Sequence, residues 1–316
     1  MDNVTHSLTG WALAQTGLKR RTRKGLAACI LAANMPDIDV FFGWAPWTPL
    51  ATHRGFTHGL VGGVLLMPPL LAGLLWLLDR WQIRRCAVFK SSLPMHFGWL
   101  MALCYLGALT HPLLDLQNTY AVQLISPASI HWFHTDGLFI ISPWLLLILG
   151  AGIWWSRRRE KREDAKPGRP AIAALAATMA FIIANIGISA LAWRLPANAE
   201  RVFAGPQPLA FWRREVIWRD GGMIGRASYD PLRGPSALTD VQQPFADNMR
   251  DTDVRRAAHA TPEIERFLAW SQMPFARTRR EGCTVKVTFG DARFTGRAVA
   301  GGFSPSVRIP AQDPGC

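Results

Sequence analysis

Four apolar runs, each near the length that crosses a bilayer, occupy much of the chain before residue 194, and short polar or basic runs separate them. A crossing helix needs about 20 consecutive apolar residues. Gly59 to Leu78 supplies one, with a Pro68-Pro69 pair that predicts a kink. Phe97 to about Leu116, Gly137 to Trp155 and Ala171 to Trp193 supply three more. Two weaker segments precede them, Ser7 to Leu18 and Gly25 to about Trp44. They are too short or too polar to cross alone, and predict a helical hairpin with its tip at 19–24.

The basic residues orient these runs. The 19–24 tip carries five Lys or Arg, the 79–95 loop four and the 156–170 loop seven. The opposite loops, 40–58 and 117–135, carry one (Arg54) and none. Basic loops stay in the cytoplasm, and the bias is counted over short loops. This places the three basic loops inside and residues 194–316 in the periplasm. The expected fold is mainly α: a polytopic membrane bundle of four spans plus the N-terminal hairpin over 1–193, then a small soluble α+β domain over 194–316.

Composition agrees. Hydrophobic residues make up 49% and charged residues 18%, and several of the 14 tryptophans end apolar runs, as in an interfacial belt. The net charge of +13 would suit nucleic acid, but much of it lies beside apolar segments as cytoplasmic anchors, so no nucleic-acid partner is expected. The polar N-terminus, with its basic run after the first apolar segment, does not read as a cleavable signal peptide. Cys29 and Cys104 read as small hydrophobes, and Cys283 with Cys316 as a pair that an extracytoplasmic domain could oxidise.

In the tail, residues 211–218 and the stretch to Tyr229 predict two strands about a turn at Asp220-Gly221-Gly222. Thr261-Pro262-Glu263 opens a helix to about Trp270. Residues 283–289 and 292–299 predict a second hairpin turning at Gly290-Asp291.

The chemistry lies in polar clusters set among the apolar runs: Asp2-x-x-Thr5-His6, Asn34-x-Pro36-Asp37-x-Asp39, His53-Arg54-Gly55-x-Thr57-His58 and His111-x-x-x-Asp115, with Asp136 beyond. Ionisable groups are costly in a bilayer and mark function there. Histidine with carboxylate is a ligand set for divalent metals. His111 and Asp115 share one helical face. At about 1.5 Å per helical residue, His6, Asp37, Asp39 and His111 reach roughly 20–24 Å above the cytoplasmic loops. His58 begins a descending helix from the outer side. The candidate metal ligands are therefore His6, Asp37, Asp39, His53, His58, His111 and Asp115. They outnumber the donors of one zinc and fit one or two divalent ions, zinc first, manganese or magnesium otherwise. Asp136 is the candidate proton relay and Arg54 the candidate contact for an anionic substrate. Asp2 and Asn34 are candidate outer partners, and His96, His131, His134 and His259 read as structural. The plainer readings are a histidine bonded to a neighbouring carboxylate for His111 and Asp115, a cap or Asx turn for Asp37 and Asp39, two surface histidines for His53 and His58, and a headgroup contact for Arg54.

Through Asp2-x-x-Thr5-His6-x-x-x-Gly10, the Asn34 and His53 clusters, His111-Pro112-x-x-Asp115-x-x-Asn118-Thr119-Tyr120 and Asp136-Gly137-x-Phe139-Ile140-Ile141-x-Pro143-Trp144, the chain resembles the YdjM/YbcI-like bacterial inner-membrane proteins, described as membrane-bound metal-dependent hydrolases. The likeness extends to Asp291-Ala292-Arg293-Phe294 in the tail. The pattern is distantly similar to zinc phospholipase C and nuclease P1 proteins, which cleave phosphodiesters. Related sequences tend to carry Asp where this chain has Ser142. If that Asp acts in catalysis, this member is altered; if it caps a helix, Ser serves as well.

The expected function is hydrolysis by metal-activated water of a small-molecule or lipid substrate, such as a phosphoester of the envelope. The rivals are an ion or metal transporter and a non-catalytic membrane protein with a structural metal site.

Overall fold

The computed structural model describes residues 1–42, 53–89, 91–295 and 304–312. The chain forms two compact units. The first holds residues 1–41, 53–187 and 206–211; the second is built mainly from 188–205 and from 212 onward.

Six helices make up the first unit's framework: α1 (Asn3–Gln15), α2 (Gly25–Asn34), α3 (Leu60–Arg84), α4 (Phe97–Asp115), α5 (Pro143–Lys161) and α6 (Arg169–Ala192), the last turn of which belongs to the second unit. Three of them, α3, α4 and α6, are long and apolar enough to cross a membrane. The 137–155 run differs from the other three expected spans. Its helix starts only at Pro143 and runs into the charged residues Arg157–Lys161, so its apolar part is too short to match them. Pro68 and Pro69 do not interrupt α3. They fall at the first turn of an α-helical stretch, Met67–Arg84, that follows a π-helical turn at Leu60–Leu66. There the missing N–H is tolerated.

Small residues set the closest helix approach. A Cβ on Gly10 of α1 would sit 2.5 Å from the Cys29 carbonyl oxygen of α2, and a Cβ on Gly107 of α4 would sit 2.7 Å from that same oxygen. The α2 backbone is thus wedged between two glycines, the device that lets membrane helices touch. Ser7 Oγ accepts a hydrogen bond from Asn34 Nδ2 at 3.1 Å, so α1 and α2 run in opposite directions. Below this level, Ala14, Ala28, Ala32, Leu71, Leu75, Leu100, Leu103 and Cys104 form a buried core. Asp79, buried in α3, takes a two-pronged ion pair from Arg23, with Nε and Nη2 each at 2.8 Å.

In the second unit, β1 (Arg201–Pro206), β2 (Arg214–Asp220), β3 (Met223–Tyr229) and β4 (Phe245–Ala246) form a sheet in that order. The β2–β3 turn is the expected one. Gly221 and Gly222 have φ of 56° and 82°, the left-handed pair of a two-residue hairpin. Helices α7 (Thr252–Ala257) and α8 (Pro262–Trp270) follow, α8 capped by Thr261 as its sequence predicts. A second sheet holds β5 (Pro274–Glu281), β6 (Thr284–Asp291) and β7 (Ser306–Pro310). Here the expected turn is misplaced: the chain reverses at Gly282-Cys283, and Gly290-Asp291 lies within β6, paired with β5. Gly290 makes room for the Phe275 ring opposite, whose nearest carbon is 2.6 Å from where a Cβ would stand. Part of the expected 292–299 strand lies outside the described residues. Cys283 is disulfide-bonded while Cys29, Cys86 and Cys104 are free; its expected partner, Cys316, lies outside the described residues.

Candidate metal centre

The glycine wedge positions the site. His6 lies four residues, one helical turn, before Gly10, and His111 one turn after Gly107; Ala33 is one turn beyond Cys29. Because the contact point is shared, these three positions meet about 6 Å above it. The rings of His6 and His111 stack with centroids 3.9 Å apart and planes 17° from parallel. The Ala33 carbonyl accepts a hydrogen bond from His111 Nδ1 at 2.7 Å. That bond fixes the tautomer: Nδ1 carries the proton and Nε2 presents its lone pair, the arrangement of a metal-ligating histidine.

Beyond α2 the chain tightens into a 3₁₀ segment, Met35–Phe42, which delivers Asp37 and Asp39. The short turn Phe56–His58 delivers His58. Asp37, His58, His111 and Asp115 then offer one donor atom each, all within 4.8 Å of one another, and all four residues are buried. His58 Nε2 is 3.0 Å from Asp37 Oδ1 and 3.4 Å from Asp115 Oδ2; His111 Nε2 is 3.5 Å and 3.4 Å from the same two atoms. Ligands at about 2.0–2.1 Å from a tetrahedral zinc stand roughly 3.3–3.4 Å from each other. The donor spacing therefore suits such an ion.

Orphaned atoms agree with that fit. Asp37 Oδ2, His111 Nε2 and Asp115 Oδ2 are buried with no hydrogen-bond partner among the described residues. Buried acceptors without donors cost about 1–3 kcal/mol each, and a cation would satisfy them together.

Asp39 and His53 play a different part. Asp39 Oδ1 is 2.9 Å from His53 Nδ1, while Oδ2 accepts from Thr57 Oγ1 at 2.7 Å and from the Arg54 backbone N–H at 3.4 Å. Since the Thr57 proton goes to Asp39, its oxygen is free to accept from His58 Nδ1, 3.0 Å away. With Nδ1 occupied by the relay His58–Thr57–Asp39, His58 Nε2 is the nitrogen turned toward the four-residue group, 3.0 Å from Asp37 Oδ1. Asp39, His53 and His58 also form a second possible metal group, but none of its own donor atoms is among the orphans.

Arg54 is buried at 3% exposure, in a left-handed conformation (φ 67°) uncommon for a side-chain-bearing residue. Its carbonyl accepts from Gln123 N–H at 3.0 Å. Its guanidinium donates through Nη1 to Asn118 Oδ1 at 2.6 Å, approaches Asp115 Oδ1 through Nη2 at 3.4 Å, and lies over the Tyr120 ring at 4.9 Å. Asp115 Oδ1 also faces His6 Nε2 at 3.4 Å and the Met1 amine. The structure thus gathers His6, Asp37, Asp39, His53, Arg54, His58, His111 and Asp115 into one neighbourhood. Asp136 is buried and pairs with His134 Nδ1 at 2.9 Å, and belongs to neither metal group. Asp2 caps α1 through Thr5 N–H, and Asn34 bonds within the helix pair.

Residues 1–194 match the family model of the YdjM inner membrane protein. The chain belongs to this family. The match takes in every site residue above and ends before the tail motif at 291–294. No curated protein and no solved structure matches the chain. Ser142 caps α5 by accepting from Leu145 N–H at 3.5 Å, so here the residue does a cap's work.

Thr57 and Asn118 were not singled out from residue chemistry. Neither is a ligand type that stands out in a sequence, and their roles depend on neighbours far along the chain. Both stand in the motifs that carry the family resemblance, and that was their signal.

Proposed function

We propose that this YdjM family member is a membrane-bound metal-dependent hydrolase. The observation that supports it is the buried Asp37–His58–His111–Asp115 group with its orphaned acceptor atoms. Those four residues would hold one divalent ion, zinc first. When bound, such an ion supplies Lewis-acid activation of water. Ala33 anchors the Nδ1 of His111 and Thr57 the Nδ1 of His58, which turns both Nε2 atoms toward the ion position. Asp39 orients His58 through Thr57, and His53 steadies Asp39. Arg54 offsets the charge of Asp115 and faces an anionic substrate. Asp136, held by His134, keeps its proposed role as proton relay from the outer loop.

The topology belongs to the same proposal. α3 to α6 cross the inner membrane, α1 and α2 insert as a hairpin from the cytoplasmic side, and the C-terminal unit lies in the periplasm.

One feature favours a second reading. Four protein donors fill a tetrahedron, as structural zinc sites do, whereas catalytic zinc keeps a position open. The test separates the two. The protein is purified in detergent after zinc-replete expression, its metal is counted, and hydrolysis of a phosphodiester is followed with and without chelation. About one zinc per chain with chelator-sensitive turnover supports the hydrolase. One zinc without turnover supports the structural site, and zinc flux in proteoliposomes a transporter. Less than half an equivalent of any metal removes the metal reading altogether.

A further inference from the structure

The orphaned atoms around Asp115 have two opposite chemistries. On one side are acceptors, Asp37 Oδ2, His111 Nε2 and Asp115 Oδ2, which call for a cation. On the other are donors, Arg54 Nε and Asn118 Nδ2, buried and without a partner among the described residues. Donors call for an anion. Arg54 and Asn118 are 3% and 2% exposed, so bulk water does not meet the need.

The two donors are held in place by their own remaining atoms. Asn118 Oδ1 accepts from Arg54 Nη1 at 2.6 Å and from the Tyr120 backbone N–H at 3.0 Å. Both contacts are donors, so this end of the amide must be the oxygen, and the NH₂ must point the other way. With Nη1 on Asn118 and Nη2 toward Asp115 Oδ1, Arg54 has Nε left. The nitrogens with no partner are thus Arg54 Nε, which carries one N–H, and Asn118 Nδ2, which carries two. Three N–H donors on two neighbouring residues outnumber the oxygens of a carboxylate and are matched by the several oxygens of a phosphoryl group. A guanidinium suits phosphate in geometry and charge.

We infer that Arg54 and Asn118 form an oxyanion subsite beside the metal centre, and that the substrate class is a phosphate ester. This rests on the hydrolase reading and deepens it: the cation group and the anion group flank one carboxylate, Asp115, so a substrate phosphoryl held by Arg54 and Asn118 would lie next to the ion. Asn118 thereby gains a binding role, fixed by Arg54 and Tyr120.

The test measures anion binding rather than turnover. Full-length, metal-replete protein in detergent is titrated with inorganic phosphate, with acetate and with phosphatidate in mixed micelles, following thermal stability, and bound metal is counted on every sample. Phosphate is expected to stabilise the wild type, acetate not. Arg54→Lys, which keeps the charge but loses Nε, and Asn118→Asp, which replaces the donor by an acceptor, are expected to weaken phosphate binding at least tenfold with metal content unchanged. Asn118→Ser serves if Asn118→Asp does not fold. A lead of phosphatidate over inorganic phosphate assigns a lipid ester and equal binding a soluble one; either supports the subsite. Absence of phosphate binding at full metal occupancy, or unweakened binding in both variants, overturns this inference and leaves the metal reading standing. Loss of the metal reading itself shows separately, in the metal count.

Discussion

His6 lies flat against His111, ring on ring at 3.9 Å, yet the two differ in what their nitrogens do. His111 has Nδ1 anchored on Ala33 and Nε2 turned into the donor group, while His6 Nε2 approaches the far oxygen of Asp115. His6→Phe keeps the stack and removes the nitrogens. It should weaken zinc binding by about 10–100-fold, as loss of an outer partner does. His111→Phe should abolish binding at the same free zinc. Competition against graded chelators reads both, and equal losses would make His6 a ligand in its own right.

Asp37 and Asp39 stand two residues apart with separate tasks. Asp37 has Oδ1 in the donor group and its other oxygen, Oδ2, buried without a donor, whereas Asp39 is filled by His53, Thr57 and the Arg54 N–H. Asp37→Asn should leave less than about a tenth of the wild-type metal, whereas Asp39→Asn should cost an outer partner's 10–100-fold. Metal analysis after dialysis shows the order. The reverse order, or a second ion lost with Asp39, would restore a two-ion centre.

Gly107→Ala places a methyl 2.7 Å from the Cys29 oxygen and 2.9 Å from Ala32 Cβ. Overpacking of this kind costs about 1–3 kcal/mol. Metal affinity should fall too, although residue 107 touches no ligand. Gly98→Ala in the same helix meets nothing within 4 Å and should change stability by no more than about 1 kcal/mol, in the stabilising direction. Thermal unfolding in detergent compares the two.

Asp291 is buried with Arg293 and accepts from Ser271 Oγ at 2.6 Å and from the Arg293 N–H at 2.9 Å. Burial alone would raise its pKa; the Arg293 charge and these hydrogen bonds outweigh it and hold the carboxyl below its usual range. A depressed folded-state pKa gives stability that is full above the unfolded value and lost as pH falls through the folded one. Asp291→Asn leaves a buried guanidinium uncompensated and should cost about 3–5 kcal/mol at neutral pH. That penalty should shrink in acid. Unfolding of the C-terminal unit, followed by tryptophan fluorescence across pH, checks the sign.

If the C-terminal unit is periplasmic, protease added to spheroplasts should remove it and leave the 156–170 loop intact. An N-terminally tagged, membrane-retained fragment is the expected product. Cleavage only after lysis would invert the topology.

Much of this was legible in the chain because charge and apolarity act locally. Helices near the expected runs, the Gly221-Gly222 turn and the Thr261 cap all follow from neighbours within a few residues. The gathering of His6, Asp37, His58 and His111 was legible only as a shared depth. What sequence could not show was the wedge at Cys29, since a glycine reads alike whether it faces lipid or another backbone. Nor could it divide the aspartates, because Asp37 and Asp39 differ only in which donors reach them across the fold. The turn misplaced at Gly290 has the same origin: that glycine serves the Phe275 ring across the sheet.

The Cys29 carbonyl, gripped from both sides, has a practical corollary. His111 and Asp115 inherit their places from helix backbones in close contact, whereas Asp37 and His58 arrive on short turns. Half of the group is therefore built on a fixed frame and half on turns, and an effort to retune it for an ion of another size would begin with the turns that carry Asp37 and His58.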